Sequence, residues 1–170
     1  MSSTVNTAIL KDKKNYDTGS LLCCADRFRK IATSCLCEEK KGYLGQYMTP
    51  ASVCEFMASL FPESKEKELL LLDPGSGVGS LTSAFLSVVE KWKKVKTVKS
   101  FNYEIDSTMI KYLKQNMLLS SERMIEKSIE FRYEILEKDF IEEASKDVSE
   151  SDGLWKRQIR KYTHCIMNPP

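Results

Sequence analysis

The chain has 170 residues, 42% hydrophobic and 29% charged, with a formal net charge of +2. That length fits one domain able to bury a core. It holds no apolar run long enough to cross a bilayer and no secretory signal pattern, so a soluble cytoplasmic protein is expected. A near-neutral charge neither requires nor excludes a nucleic-acid partner, because a local basic patch can bind phosphate.

Residues 1–19 are polar, with Lys11, Lys13 and Lys14 among small residues, and read as a loosely ordered arm. Residues 20–62 read as a helical segment. In its first part Leu21, Leu22, Ala25, Phe28, Ile31, Ala32 and Cys35 form an apolar stripe from Ser20 to Glu39. The turn Gly45-Gln46-Tyr47-Met48-Thr49-Pro50 follows, in which Thr49 suits an N-cap and Pro50 a first helical position. Val53, Phe56, Met57, Leu60 and Phe61 then mark the expected buried face of a second helix, which Pro62 ends. The six cysteines do not repeat as C-x-x-C pairs and the only histidine is His164, so reduced, mostly buried thiols and no metal site are expected.

Residues 63–170 carry the chemistry. Leu69-Leu70-Leu71-Leu72 reads as a strand buried on both faces, and Asp73-Pro74-Gly75-Ser76-Gly77-Val78-Gly79 follows it directly. Leu81, Ala84, Phe85, Val88, Val89 and Trp92 then recur at helical spacing. Strand, glycine loop and helix together bring bare backbone N–H groups to a helix N-terminus. The glycines read G-x-G-x-G instead of the dinucleotide G-x-G-x-x-G, which suits a cofactor without a pyrophosphate. S-adenosylmethionine is such a cofactor: Asp73 is placed to approach its ammonium, and Gly75, Ser76, Gly77 and Gly79 its methionyl part and ribose.

Lys91 to Lys99 reads as a basic loop, and Ser100 to Glu104 as a second strand ending in an acid. A carboxylate there, with Ile105 next to it, is placed to accept from ribose hydroxyls, although the gap from the loop exceeds the roughly 20 residues of the dinucleotide pattern. Asp106 suits the cap of a helix whose inner face is Met109, Ile110, Leu113 and Met117. Ile129, Phe131, Tyr133 and Ile135 alternate with charged residues, as in a half-exposed edge strand. Asp139 and Phe140 follow, either as an adenine contact or as a helix cap with a core aromatic. Ile141 to Gly153 reads as a loop or ragged helix, and Trp155 to Lys161, basic with one aromatic, as a solvated face or, second to that, a nucleic-acid contact. Tyr162 to Met167 reads as a fourth strand that delivers Asn168-Pro169-Pro170.

In order, these pieces resemble the N6-adenine DNA methyltransferases of restriction-modification systems. GQYMTP is similar to the segment that closes over the methionyl group, with Gln46, Tyr47, Thr49 and Pro50 toward the cofactor. DPGSGVG is similar to the cofactor loop, Glu104 to the ribose acid and Asp139-Phe140 to the adenine contact. Asn168-Pro169-Pro170 is similar to the start of the catalytic N-P-P-aromatic motif. The resemblance implies an α/β, Rossmann-like S-adenosylmethionine-dependent fold with a doubly wound, mostly parallel sheet, ending here after its fourth strand. It also implies double-stranded DNA with a flipped adenine as the partner of the whole protein. The Asn168 side-chain oxygen and the Pro169 carbonyl would accept the two N–H bonds of the adenine amino group.

The aromatic that follows N-P-P in that family, the second half of its sheet and its recognition region have no counterpart in these residues. Self-association, or pairing with a C-terminal half, is therefore expected, with no methyl transfer by the chain alone. Two other readings stay open: a methyltransferase acting on a protein glutamine amide or an RNA base, and a non-catalytic fragment that binds a partner polypeptide. A nicotinamide dehydrogenase fits less well, having no use for N-P-P after the fourth strand.

Overall fold

A computed structural model describes residues 20–35, 48–151 and 160–168, with the side chains of Cys35 and of 147–151 excepted. Among them are the helices α1 (Leu21–Cys35), α2 (Ala51–Ser59), α3 (Ser80–Val89), α4 (Ser107–Glu126) and α5 (Phe140–Ser151). The strands are β1 (Glu68–Pro74), β2 (Thr97–Tyr103), β3 (Glu130–Leu136) and β4 (His164–Cys165). They form one sheet in the order β3-β2-β1-β4, and every pairing is parallel. The chain thus winds outward from β1 to β3, then returns to the other side of β1. That reversal places a crevice at the carboxyl ends of β1 and β4, where open α/β sheets bind ligands.

The leucine run of β1 is interior, as its continuous apolar character requires, and Leu69 and Leu71 are fully buried. Its alternate residues pack one face of the sheet against α2, α3 and α4 through Ala58, Phe85, Leu86, Leu113 and Met117. On the other face Phe140, at the start of α5, stacks edge-on against Tyr103 at a centroid distance of 5.1 Å. Helical residues therefore pack on both faces. Nearby, Lys99 and Arg160 lie over the Phe101 ring at 4.9 and 4.2 Å, and both pair with Glu134. Lys99 is the main reason the Glu134 carboxyl is held below its usual range.

Several elements differ from expectation. The Lys91–Lys99 stretch is not all loop, because β2 begins at Thr97 with Val95 and Val98 buried. Residues 140–151 are a regular helix. The fourth strand shrinks to two paired residues, and Ile166 beyond it is buried. The largest correction concerns α2. Of its expected inner face Val53, Phe56 and Leu60 are turned outward, the last two 64% and 66% exposed, while Met57 and Phe61 pack against the core and Cys54 and Ala58 are fully buried. Small side chains let α2 approach its neighbours closely, and contact distance outweighed residue size. Ile31 is likewise exposed on α1. The arm 1–19 and the segment Trp155 to Ile159 lie outside the described residues.

Gly79, the N-cap of α3, is fixed by this packing. Its φ is +84°, and a Cβ would stand 2.7 Å from Met117 Cε and 2.8 Å from Leu113 Cδ1. Gly77, at φ +56°, has nothing within 4 Å of a Cβ. Urea denaturation should therefore show Gly79→Ala destabilised by about 2–4 kcal/mol, from a left-handed φ plus overpacking. Gly77→Ala should lose only the conformational part, about 1–2 kcal/mol.

Candidate functional site

The glycine loop leaves β1 through Asp73 and Pro74, and turns on three residues of positive φ, Gly75, Gly77 and Gly79. Ser76 N–H bonds the Tyr103 carbonyl at 2.8 Å, which ties the loop to the end of β2. No atom of the described residues lies within 4 Å of a Cβ built at Gly75 or Gly77, so among them the outer side of the loop is open backbone. Gly79 faces the opposite way, into α4. There Asn116 Nδ2 reaches the Val78 carbonyl (2.8 Å), the Gly79 carbonyl (3.2 Å) and Ser83 Oγ (2.9 Å). Asn116 carried no signal in the sequence, because its partners lie 33 to 38 residues upstream.

Glu104 closes the loop from the other side. Its Oε2 accepts from Gly77 N–H at 2.8 Å, and its Oε1 from Ile105 N–H (2.8 Å) and Asp106 N–H (2.9 Å). The acid assigned to ribose thus first organises two loops; Oε1 is filled by two donors, and Oε2, with one, keeps a lone pair for a further donor. Ile105 beside it is 53% exposed, an apolar side chain at the mouth of the crevice. Asp106 caps α4 as expected, accepting from the N–H groups of Thr108 and Met109.

Asp139 serves as a helix cap. Its Oδ1 accepts from Ile141 N–H at 2.8 Å and Glu142 N–H at 3.1 Å, starting α5. Both bonds use one oxygen.

The segment before α2 also differs in detail. Pro50 is the N-cap of α2 and makes no side-chain bond, so Thr49 is not the cap. Its hydroxyl instead accepts from Asn168 Nδ2 at 3.1 Å. Thr49 and Asn168 are 119 residues apart in sequence, yet they meet beyond the carboxyl end of β1. Met48 packs against the small cluster of Phe28, Ala32, Val78 and Met109, which includes a residue of the glycine loop. Of the remaining expected site residues, Gln46, Tyr47, Pro169 and Pro170 lie outside the described residues.

Asp73 is fully buried. Thr82 Oγ1 lies 2.7 Å from its Oδ2, while among the described residues Oδ1 has no hydrogen-bond partner. Burial pushes its pKa up to about 7, against the Thr82 bonds that lower it and with a smaller contribution from Glu104. Two thiols respond to its charge: Cys54 of α2, pushed up to about 11 chiefly by burial, and Cys165 of β4, raised mainly by burial. Among the described residues Cys23, Cys24, Cys54 and Cys165 are free thiols, but only Cys24 and Cys54 are buried.

With this geometry in place, the comparisons become specific. The N-6 DNA Methylase family model matches residues 32–169. The chain belongs to this family. Over 132 residues it is 36% identical to the Type II methyltransferase M.BsuBI of Bacillus subtilis, which is 78% of this chain and 25% of that protein. Over 151 residues it is 36% identical to the Type II methyltransferase M.PstI of Providencia stuartii, covering 89% and 28%. The chain thus spans about a quarter of the length of these relatives. N-6 DNA methylases take their methyl group from S-adenosylmethionine as a class, and two features here suit that donor. The bare backbone at Gly75 and Gly77 leaves room for it, and the unpartnered Asp73 oxygen suits its ammonium. Among the described residues no helix is long and apolar enough to cross a membrane.

Asp73 makes the protein's stability depend on pH. Its folded pKa lies above its unfolded value, so between about pH 4 and 7 the folded state binds more protons. Its contribution is full below pH 4 and is lost as pH rises through 7. The total is on the order of 4 kcal/mol for a shift to about 7. Denaturation midpoints measured from pH 4.5 to 8 should fall for the wild type. Asp73→Asn should flatten that decline.

Proposed function

We propose that this chain forms the cofactor-binding part of an enzyme that moves the methyl group of S-adenosylmethionine to the exocyclic amino group of adenine in DNA. The observation that carries this reading is the Thr49–Asn168 contact. It sets the side chain that begins N-P-P against the segment expected over the methionyl group, at the mouth of the glycine loop. The donor supplies an electrophilic methyl on a sulfonium. The chain's residues bind and orient. Gly75 and Gly77 offer bare backbone, Glu104 a further acceptor for ribose hydroxyls, and Ile105 with Phe140 an apolar edge for the adenine ring of the cofactor.

Adenine's amino nitrogen is a weak nucleophile because its lone pair is delocalised. Asn168 gives its Nδ2 to Thr49, which turns its Oδ1 free to accept one N–H of the target amine. Pro169 would accept the other through its carbonyl. Such placement, rather than a strong base, would supply the rate. The target base would have to leave the duplex to reach Asn168. Catalysis would take place in the cytoplasm, with the remaining length of the relatives supplying DNA recognition and a strand against the outer edge of β4.

Two measurements test this. Calorimetry with S-adenosylmethionine should show Glu104→Ala weakening binding by about 1.5–3 kcal/mol, as charged acceptors are lost and the loop is released. Unchanged affinity would remove Glu104 from the site. Tritiated methyl incorporation into duplex DNA should require a polypeptide carrying the remaining length of a relative, and Asn168→Ala should abolish it. Transfer by the 170-residue chain alone would refute the division of labour.

A further inference from the structure

The hydroxyl of Thr82 sits between two oxygens. Its Oγ1 is 2.7 Å from Asp73 Oδ2 and 2.9 Å from Asn102 Oδ1. A hydroxyl carries one proton and cannot donate to both. The orientation of Asn102 is fixed from behind, because its Nδ2 donates to the Glu134 carbonyl at 3.2 Å and to Ser100 Oγ at 2.8 Å. Turning the amide over would set its oxygen against that carbonyl with no hydrogen between them. One of the two short contacts therefore lacks a proton, and Asp73 is the partner able to carry one, which leaves the Thr82 proton for Asn102. Asp73, Thr82 and Asn102 are all fully buried. The arrangement that satisfies every atom but one is a chain: Asp73 O–H to Thr82 O–H to Asn102 C=O, with Asn102 N–H to the Glu134 carbonyl. The one atom left over is Asp73 Oδ1.

We propose that the ligand-free protein holds Asp73 as the carboxylic acid, and that an ammonium group docking at Oδ1 expels this proton to solvent. The inference rests on the reading that S-adenosylmethionine binds here, and its α-ammonium is the group concerned. Acid and ammonium become a carboxylate–ammonium pair plus one released proton, and no covalent bond of the ligand changes. The surroundings favour such an exchange. Glu104, at the end of β2, opposes a bare charge on Asp73, and a cation beside Asp73 removes that opposition. The other titratable groups acting in the cluster are the Cys54 thiol on α2 and the Cys165 thiol on β4, both raised and hence neutral through pH 7. His164 of β4, which packs against Phe85, has its pKa lowered by burial. Arg29 and Asp26 of α1 act on Cys54 and oppose one another. Asp73 is therefore the group that exchanges a proton.

The test separates proton from ligand. Carboxyl carbon-13 NMR of the 170-residue chain, with Asp73→Asn to assign the signal, should give a midpoint near neutrality without ligand. It should fall below the titrated range with saturating S-adenosylmethionine. The association constant should rise about tenfold per pH unit from pH 5 to near 7, then level off. Asp73→Asn should abolish that rise, and Thr82→Ser, which keeps the hydroxyl, should preserve it. Methylthioadenosine, which lacks the amino-acid part, should bind with no pH dependence. An ordinary aspartate midpoint in the free protein overturns the proposal, as does binding that leaves Asp73 unmoved. If the chain binds no S-adenosylmethionine at any pH, the cofactor reading fails and the proton exchange fails with it. Binding without proton release sinks the exchange alone.

Discussion

The site depends on one carboxylate serving three backbone donors. Glu104 holds Gly77 N–H with one oxygen and Ile105 and Asp106 N–H with the other. Buried N–H groups without partners are costly, and loops of positive φ have few ways to satisfy them. Charge-assisted bonds are stronger than neutral ones, so a single side chain can lock the β1–α3 turn to the β2–α4 turn. Without that lock, three glycines would cost the loop its shape. The open backbone at Gly75 and Gly77 exists because Glu104 restrains it from behind.

Around this lock the strands are arranged by an ordinary rule. All four end on the same side because all are parallel, and parallel strands need helices between them. Asp73, Glu104, Asp139 and Asn168 each follow or close a strand. Their gathering at one rim is a product of topology, with local chemistry deciding only which atoms face outward. Asp139 illustrates this. It stands at the rim, yet its short side chain is engaged by the helix that starts beside it.

What could be read in the sequence was what a short window encodes. Four leucines in a row mark an interior strand because both faces must be apolar, and D-P-G-x-G-x-G after them marks the turn. The cap at Asp106 needs only the next three residues. Reading failed where the deciding partner was remote. On α2, Val53, Phe56 and Leu60 have the right period and the wrong orientation, because Cys54 and Ala58 fit a closer approach. Nothing near Thr49 announces Asn168, and nothing near Asn116 announces Val78. The proton chain through Thr82 was hidden for the same reason: it takes an atom count across three elements.

The contact between Thr49 and Asn168 also orders events in time. Everything from α1 to β3 is available once those residues have left the ribosome, and neighbouring elements pair as they appear. The last of the described strands is β4, two residues long, which must find β1 across the intervening chain. Closing so long a loop for so short a ladder is slow and returns little stability. A nascent chain would thus have its glycine loop and Glu104 in place before Asn168 is made. On the proposed reading, binding of the methyl donor and readiness to transfer it would arise at separate stages of synthesis.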